Sequence, residues 1–552
     1  MFRKSLLAAV VLFSANTLGV AQSRQTPKLI VGIMVDQMRP DYLTRFNDQF
    51  GEDGFKRLLR EGFQCRNTHY NYVPTVTGPG HSSVYTGTTP RYHGIIGNSW
   101  YDRRLHRDVY CTDDTTVQLV GTPKGMGVSA RNQLSTTLGD EMKMVSNGRS
   151  NVLALSLKDR ASALPAGHMA DGAFWFDVST GNFISSTYYM PELPAWVREF
   201  NAQKKPDFYR QQTWTPLRAA QAYQNSVADS NNYERIFKGK TAATFPYDLA
   251  KLAPLNPPAY ETVYASPFGN TLLTDLTLAA LAHTDLGRDD VPDLLALSYS
   301  SPDAVGHTFG PLSKEENDLY LRLDLEIARL LQALDKTVGK GNYTIFLTAD
   351  HGATEVPNYL AEHHAPSGAQ SHTTLNQKAA AYLNEQLGPD QWIEVERGNM
   401  YYLNRPLIAR RKLELGRVQQ LLADFLRDQE GVAQANTTTQ LLENSYSTYL
   451  ETKLQNGLYY KRFGDVRYEL EPGWGWDMGV GAGHGSAYAY DSHVPLLWFG
   501  AGVTPGVSYQ YHAITDIAPT AAMLVNSKLP SACTGQPIVE VLSTAAPKKR
   551  RK

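Results

Sequence analysis

Cysteine is scarce: three residues, Cys65, Cys111 and Cys533, in a chain of 552. They are too few and too scattered for a structural zinc site and permit at most one intramolecular disulfide, for which Cys65 with Cys111, both in the same early region, is the expected pair. Beyond the N-terminal region, no segment supplies the roughly 18 uninterrupted apolar residues of a membrane span, which argues against a stable membrane anchor. Neither charge predominates, with 53 Lys plus Arg against 54 Asp plus Glu. There is thus no bulk electrostatic case for a nucleic-acid partner. Repeats and low-complexity tracts are lacking too. What is present is a chain 42% hydrophobic and 11% aromatic, apolar enough to bury a large core and exclude general disorder.

The two ends carry processing and solvation signals. Met1-Phe2-Arg3-Lys4, the apolar stretch Leu6 to Phe13 and the small residues near Ala21 read as a secretory signal peptide over residues 1–21, with cleavage after Ala21. A periplasmic or secreted, oxidising location follows. Residues 546–552 form a basic tail, read as a solvated terminus rather than a nuclear address. Between them, residues 22–545 are expected to form one domain, with insertions near 188–270 and 355–476 able to cap one edge of its sheet. The sequence does not identify the oligomeric state, and a monomer is compatible with it.

Four apolar runs share one grammar: each is strand-like and leads into a charged residue. Leu29 to Val35 ends at Asp36, Val152 to Leu157 at Lys158, Leu294 to Ser298 leads to Asp303, and Tyr343 to Leu347 to Asp350. Continuous apolar runs mark strands buried on both faces of a parallel sheet, and ligands of such sheets bind beyond the strands' carboxyl ends. Between two of these runs Ser313 and Glu316 read as a capping box, opening a helix with Leu319, Leu323, Ile327, Leu330 and Leu334 on one face. The predicted fold is α/β: a doubly wound, mostly parallel sheet with helices on both faces.

Asp303 and His307 lie one helical turn apart, and Asp350 and His351 are adjacent. Carboxylate with imidazole suits zinc better than magnesium or calcium, which prefer all-oxygen shells. With Asp36 and His484 there are six candidate ligands, enough for two open zinc sites that could hold the attacking and leaving oxygens of an in-line displacement. Thr77-Gly78-Pro79-Gly80-His81 reads as a loop-to-helix junction. There Thr77 is either a helix cap or a nucleophile favoured by the helix N-terminus. Lys158 and Arg160, two apart at a strand end, are expected to point to one side, as two cations suited to a dianionic phosphoryl group. His363, His364 and His372 read as a surface loop rather than an accessory metal site, and His493 as support for the ligands.

Together these segments resemble the alkaline phosphatase superfamily, and within it the PafA-type monoesterases. The matching stretches are Val35-Asp36-Gln37-Met38-Arg39, Pro74 to His81, Gly97-Asn98-Ser99-Trp100-Tyr101-Asp102, Ser156 to Arg160, Ser301 to His307, Thr348 to Gly352 and His484-Gly485-Ser486. The resemblance implies one zinc on Asp36, Asp350, His351 and the Thr77 oxygen, a second on Asp303, His307 and His484, and phosphoryl contacts from Asn98, Lys158 and Arg160. It also implies hydrolysis of small-molecule phosphate monoesters through a phosphothreonine on Thr77 that water then hydrolyses. Ser486-Ala487 departs from the Thr-Pro frequent in relatives, which bears on the stiffness of the His484 loop. A phosphodiesterase or nucleotide pyrophosphatase on the same metal core is the nearest rival, with a non-catalytic phosphate-ester binder behind it; a sulfatase would need Cys or Ser where this chain has Thr77.

Overall fold

The structure is a computed structural model that describes residues 25–476 and 479–542. The signal-peptide segment and the basic tail lie outside the described residues. Eleven strands make the main sheet: β1 (Leu29–Val35), β2 (Phe63–His69), β3 (Leu119–Val120), β4 (Val152–Ser156), β5 (Gly172–Asp177), β6 (Asn182–Ser186), β7 (Asp293–Tyr299), β8 (Tyr343–Thr348), β9 (His493–Gly500), β10 (Gly506–Ser508) and β11 (His512–Ala513). Their order is β10-β2-β9-β8-β1-β7-β4-β5-β6-β3, with β11 paired to β2. Strands β8, β1, β7, β4 and β5 run parallel, while β9 and β6 close the parallel block antiparallel on either side.

Every residue of β1 is buried, as are all of β7 and β8. Each fully buried Leu, Ile, Val or Met side chain contributes about 1.5–3 kcal/mol relative to exposure. This is why the apolar runs stay in the middle of the sheet and the charged residues after them are expelled to its edge. Helices α1 (Thr77–Thr86), α2 (Asp159–Ala166), α3 (Pro267–His283), α4 (Ser301–Phe309) and α5 (Lys314–Leu334) pack on the sheet, giving the doubly wound α/β architecture. Gly32 lets α1 lie against β1: a Cβ there would stand 2.3 Å from the Tyr85 hydroxyl and 2.4 Å from Phe346.

Leu319, Leu323, Ile327, Leu330 and Leu334 on α5 are all fully buried. Only half of the expected capping box forms. Ser313 Oγ accepts from the Glu316 N–H at 3.1 Å, but Glu316 does not reach back. Its carboxyl is buried instead, and burial followed by the charge of Asp303 pushes its pKa well above the usual range. The expected disulfide is likewise absent, since all three cysteines are free thiols. Cys65 belongs to the main core on β2, whereas Cys111 packs with Val73, Ile96 and Trp100 in a separate cluster.

Segment 188–270 packs onto the main core through Val197, Phe200, Trp214 and Tyr247. Segment 355–476 instead builds an antiparallel sheet of its own, 393–397, 400–403, 466–470 and 432–437, covered by α6 (His372–Leu387) and α7 (Leu415–Arg427) around a second core.

One buried histidine makes the fold acid-sensitive away from the sheet edge. His93 accepts the Ile95 N–H at Nδ1 (3.1 Å) and places Nε2 2.9 Å from Ser83 Oγ on α1. Burial, and then the charge of Arg462, lowers its pKa to about 3. The unfolded chain binds this proton near pH 6.5 and the folded chain does not, so the stabilisation is complete above pH 6.5 and is lost as pH falls toward 3. Between pH 6.5 and 4.5 the expected loss is roughly 2–3 kcal/mol. Denaturant unfolding of metal-stripped protein should show this loss, and His93→Gln should reduce the slope, leaving the part due to His69 and His81, whose pKa values burial lowers to about 4; an equal slope in the variant would exclude His93 as a cause.

Candidate active site and metal centre

The order β8-β1-β7-β4 sets the carboxyl-end residues side by side: Asp350 and His351, then Asp36, then Asp303, then Lys158. Asp36 directly follows β1 and donates its N–H to Tyr299 O (3.0 Å) on the neighbouring strand. His484 arrives from a distant loop, its Nδ1 2.9 Å from Thr75 O. Gly80 permits α1 to come close, because a Cβ there would lie 2.6 Å from the Asp350 carbonyl oxygen and 2.7 Å from its Cβ.

Two groups of ligating atoms converge, each within 4.8 Å: Asp36, Asp350 and His351, and Asp303, His351 and His484. His307 joins the second group, its Nε2 3.2 Å from Asp303 Oδ1. In each of the three histidines Nδ1 faces a backbone carbonyl, Gly352 O for His351, Ala482 O for His307 and Thr75 O for His484. A carbonyl can only accept, so Nδ1 carries the proton and Nε2 presents a lone pair.

The first group shows what such an arrangement needs. Asp36 Oδ1, Asp350 Oδ2 and His351 Nε2 are buried without a hydrogen-bond partner among the described residues, and Nε2 stands 3.5 Å from each of the two oxygens. An unsatisfied buried polar atom costs about 1–3 kcal/mol. Three lone pairs aimed at one another are consistent with a cation, and the mixed N and O donors fit zinc. Without a cation the charges are in conflict: burial and the neighbouring Asp36 push Asp350 well above the usual carboxylate range. Burial holds His484 well below the usual imidazole range, helped by His351 and His307. For Asp303, burial alone would raise the pKa, but His307 and Lys158 hold it well below.

Thr77 is the first residue of α1, and the cap position belongs to Val76. Its hydroxyl is not the helix cap; among the described residues its hydrogen bond comes from Arg160 Nη2, at 3.4 Å. Asn98 Oδ1 accepts the Gly78 N–H at 2.7 Å, tying Asn98 to the start of the same helix. Lys158 is still extended, but α2 begins at Asp159, so Arg160 lies on a helix and not two residues along the same strand. They diverge as a result. Lys158 Nζ donates to Asp36 Oδ2 and Asp303 Oδ2, both at 2.6 Å, bridging the two ligand groups, while Arg160 turns to Thr77 and to Tyr110, whose hydroxyl is 3.0 Å from Nη1.

Other participants carried no sequence signal of their own. Gln37, at φ 64°, donates its N–H to Asp350 Oδ1 (3.2 Å) and its Nε2 to Asp303 Oδ1 (2.7 Å), so it links both groups. Tyr110 donates to Asp159 (2.6 Å) and thereby steadies Arg160. Asp491 accepts from Ser486 N–H (2.8 Å) and Oγ (2.6 Å), and Thr75 Oγ1 donates to Ser486 O (2.7 Å). These bonds supply the stiffness of the His484 loop that Ser486-Ala487 left open.

His363, His364 and His372 join neither group; His372 stacks on Trp476 at 3.5 Å. His493 stacks on His69 and lines a cleft of about 810 Å3 between β2, β9 and Arg39 that contains none of the converging residues.

Comparison with known proteins agrees with this arrangement. The family described as Type I phosphodiesterase / nucleotide pyrophosphatase matches residues 30–483. Alkaline phosphatase PafA of Elizabethkingia meningoseptica is 41% identical over 98% of this chain and 99% of its own. Alkaline phosphatase PhoV of Synechococcus elongatus is 41% identical over 94% of each. The crystal structure of wild-type PafA superposes with a TM-score of 0.90 at 41% identity, covering 94% of this chain and 99% of the other. With a strand edge that gathers two Asp/His groups poised for metal ions, and relatives matched along almost their whole length, the chain belongs to the PafA-type alkaline phosphatases, hydrolases of the alkaline phosphatase superfamily.

Proposed function

We propose that this protein hydrolyses small-molecule phosphate monoesters to alcohol and inorganic phosphate, with two zinc ions and a covalent phosphothreonine on Thr77. The observation that carries the reading is the trio of orphaned buried atoms, Asp36 Oδ1, Asp350 Oδ2 and His351 Nε2, at the sheet edge where α1, the helix that Thr77 opens, closes on Asp350 through Gly80. Asp36, Asp350 and His351 would hold one zinc, with Thr77 Oγ1 as a further ligand, and Asp303, His307 and His484 the other. Bound there, the ions would act as Lewis acids that stabilise charge on the attacking and leaving oxygens.

The chain's own groups then position the reactants. Thr77 gives its proton to water as its Oγ1–P bond forms, the bond from phosphorus to the leaving oxygen breaks on the opposite side, and that oxygen takes up a proton from water to leave as the alcohol. Arg160, held by Tyr110 and Asp159, offers its guanidinium to a nonbridging oxygen next to Thr77. Asn98 Nδ2 offers a second donor while its Oδ1 stays on Gly78. Lys158, tied to Asp36 and Asp303, sits between the ligand groups where a third phosphoryl oxygen would come. Water attacks the phosphothreonine from the vacated side and frees Thr77 and phosphate. Positioning and electrostatics suffice because the transition state for phosphoryl transfer is loose.

A diester carries one charge fewer, so the cations at Lys158 and Arg160 favour monoesters over the diesters named in the family description. Chelation is expected to abolish turnover of an aryl phosphate and, by leaving the two groups uncompensated, to lower the melting temperature by several degrees. Readdition of zinc should restore both. Metal analysis giving about two zinc per active chain supports the proposal; full activity after complete metal removal would overturn it.

A further inference from the structure

The Asp303, His307 and His484 group opens on a cleft of about 230 Å3 that the steps above leave without a role. His307 and His484 line it together with Trp474, Trp476 and Tyr490, whereas Thr77 does not. In an in-line displacement the leaving oxygen departs opposite Thr77, on the side of this group, so the remainder of the leaving alcohol extends into the cleft.

Its aromatic lining is fixed in advance. One face of the Trp476 indole is covered by His372 at 3.5 Å and 14°, and Tyr468 meets it edge-on at 6.1 Å and 83°. Trp474 is seated on Gly368 and Gly431, where a Cβ would come within 2.5 and 2.2 Å of its ring. Both indoles pack against the core of segment 355–476 yet remain only partly buried. An indole held by His372 and Tyr468 and lining a cleft is a preorganised platform for a planar ligand. The volume falls below the roughly 300–1,000 Å3 of sites that enclose drug-sized ligands, and suits one or two rings.

We infer that this cleft is a leaving-group subsite in which Trp476 stacks planar aromatic leaving groups of phosphate monoesters. The inference rests on the phosphomonoesterase reading above. Trp476→Ala is expected to lower kcat/KM for a ring-bearing substrate, phenyl phosphate or a nucleoside monophosphate, by roughly 10- to 100-fold. Turnover of glycerol phosphate should change less than about twofold, and Trp476→Phe should recover most of the loss. Which ring-bearing substrate responds shows whether the ring lies next to the ester oxygen or one sugar away. Calorimetry gives a readout independent of turnover: the variant should lose affinity for phenylphosphonate while keeping that for inorganic phosphate, which also reports an intact site. Equal losses for glycerol phosphate and aryl phosphate, or unchanged phenylphosphonate binding, would overturn the subsite. If the zinc-replete wild type turned over no monoester, the parent reading would fail, and the phenylphosphonate comparison would still decide the subsite.

Discussion

Replacing Thr77 by alanine is expected to lower kcat for phosphate monoesters by on the order of 10³-fold or more, since it removes the proposed nucleophile itself. The substitution is structurally mild. Thr77 is the first residue of its helix rather than the cap, and its hydroxyl receives only a long contact from Arg160. Folding should therefore be nearly unchanged, which separates a chemical defect from a structural one. Thr77→Ser, which keeps an oxygen at the same place, should retain far more activity than the alanine variant. Acid quenching of the wild type with labelled substrate should trap covalent phosphate on Thr77, and the alanine variant should show none. Near-native turnover in Thr77→Ala with normal metal content would remove Thr77 from the mechanism.

Arg160→Ala is expected to reduce kcat/KM for an aryl phosphate by about 10²–10³-fold, but that for its methyl diester by less than about tenfold. A monoester presents a dianionic phosphoryl group, and the guanidinium beside Thr77 is the cation free to meet it. Lys158 is differently engaged, since its ammonium already bridges Asp36 and Asp303. Its removal leaves two buried carboxylates facing one another, so Lys158→Ala should alter metal retention as well as rate, whereas Arg160→Ala should alter rate alone. Parallel kinetics on the two esters with metal analysis of both variants checks this. If Arg160→Ala slowed both esters equally, the charge argument for monoester preference would fail.

The sequence showed the sheet edge more clearly than the rest of the site, for a physical reason. Strands buried on both faces must be apolar throughout, so β1, β7 and β8 announce themselves, and a carboxylate just past such a strand can only lie at the sheet's edge. Asp36, Asp303, Asp350 and His351 were legible on that ground. The direction of Lys158 and Arg160 was not, because it depends on whether the chain continues extended or turns into a helix at Asp159. Gln37 was silent for a related reason: an amide next to a ligand gains its role only through the left-handed turn at that residue, which aims it at Asp303. Tyr110 and Asp491 act through partners 50 and 5 residues away, Arg160 and Ser486, and no local pattern encodes either pairing. The capping box and the disulfide failed alike, as proximity in sequence does not tell where a side chain is buried.

The hydrogen bond from His484 to Thr75 spans 409 residues, and its companion from Thr75 to Ser486 spans 411. A chain emerging from its N-terminus can thus lay down β1, β7 and β8 and bring Asp36, Asp350 and His351 together well before the last donor of the second group exists. The first group is within reach of an incomplete chain, but the second waits for residue 484. Fragments ending short of His484 are therefore expected to be inert toward esters even where they have folded, which an activity assay on such truncations would check.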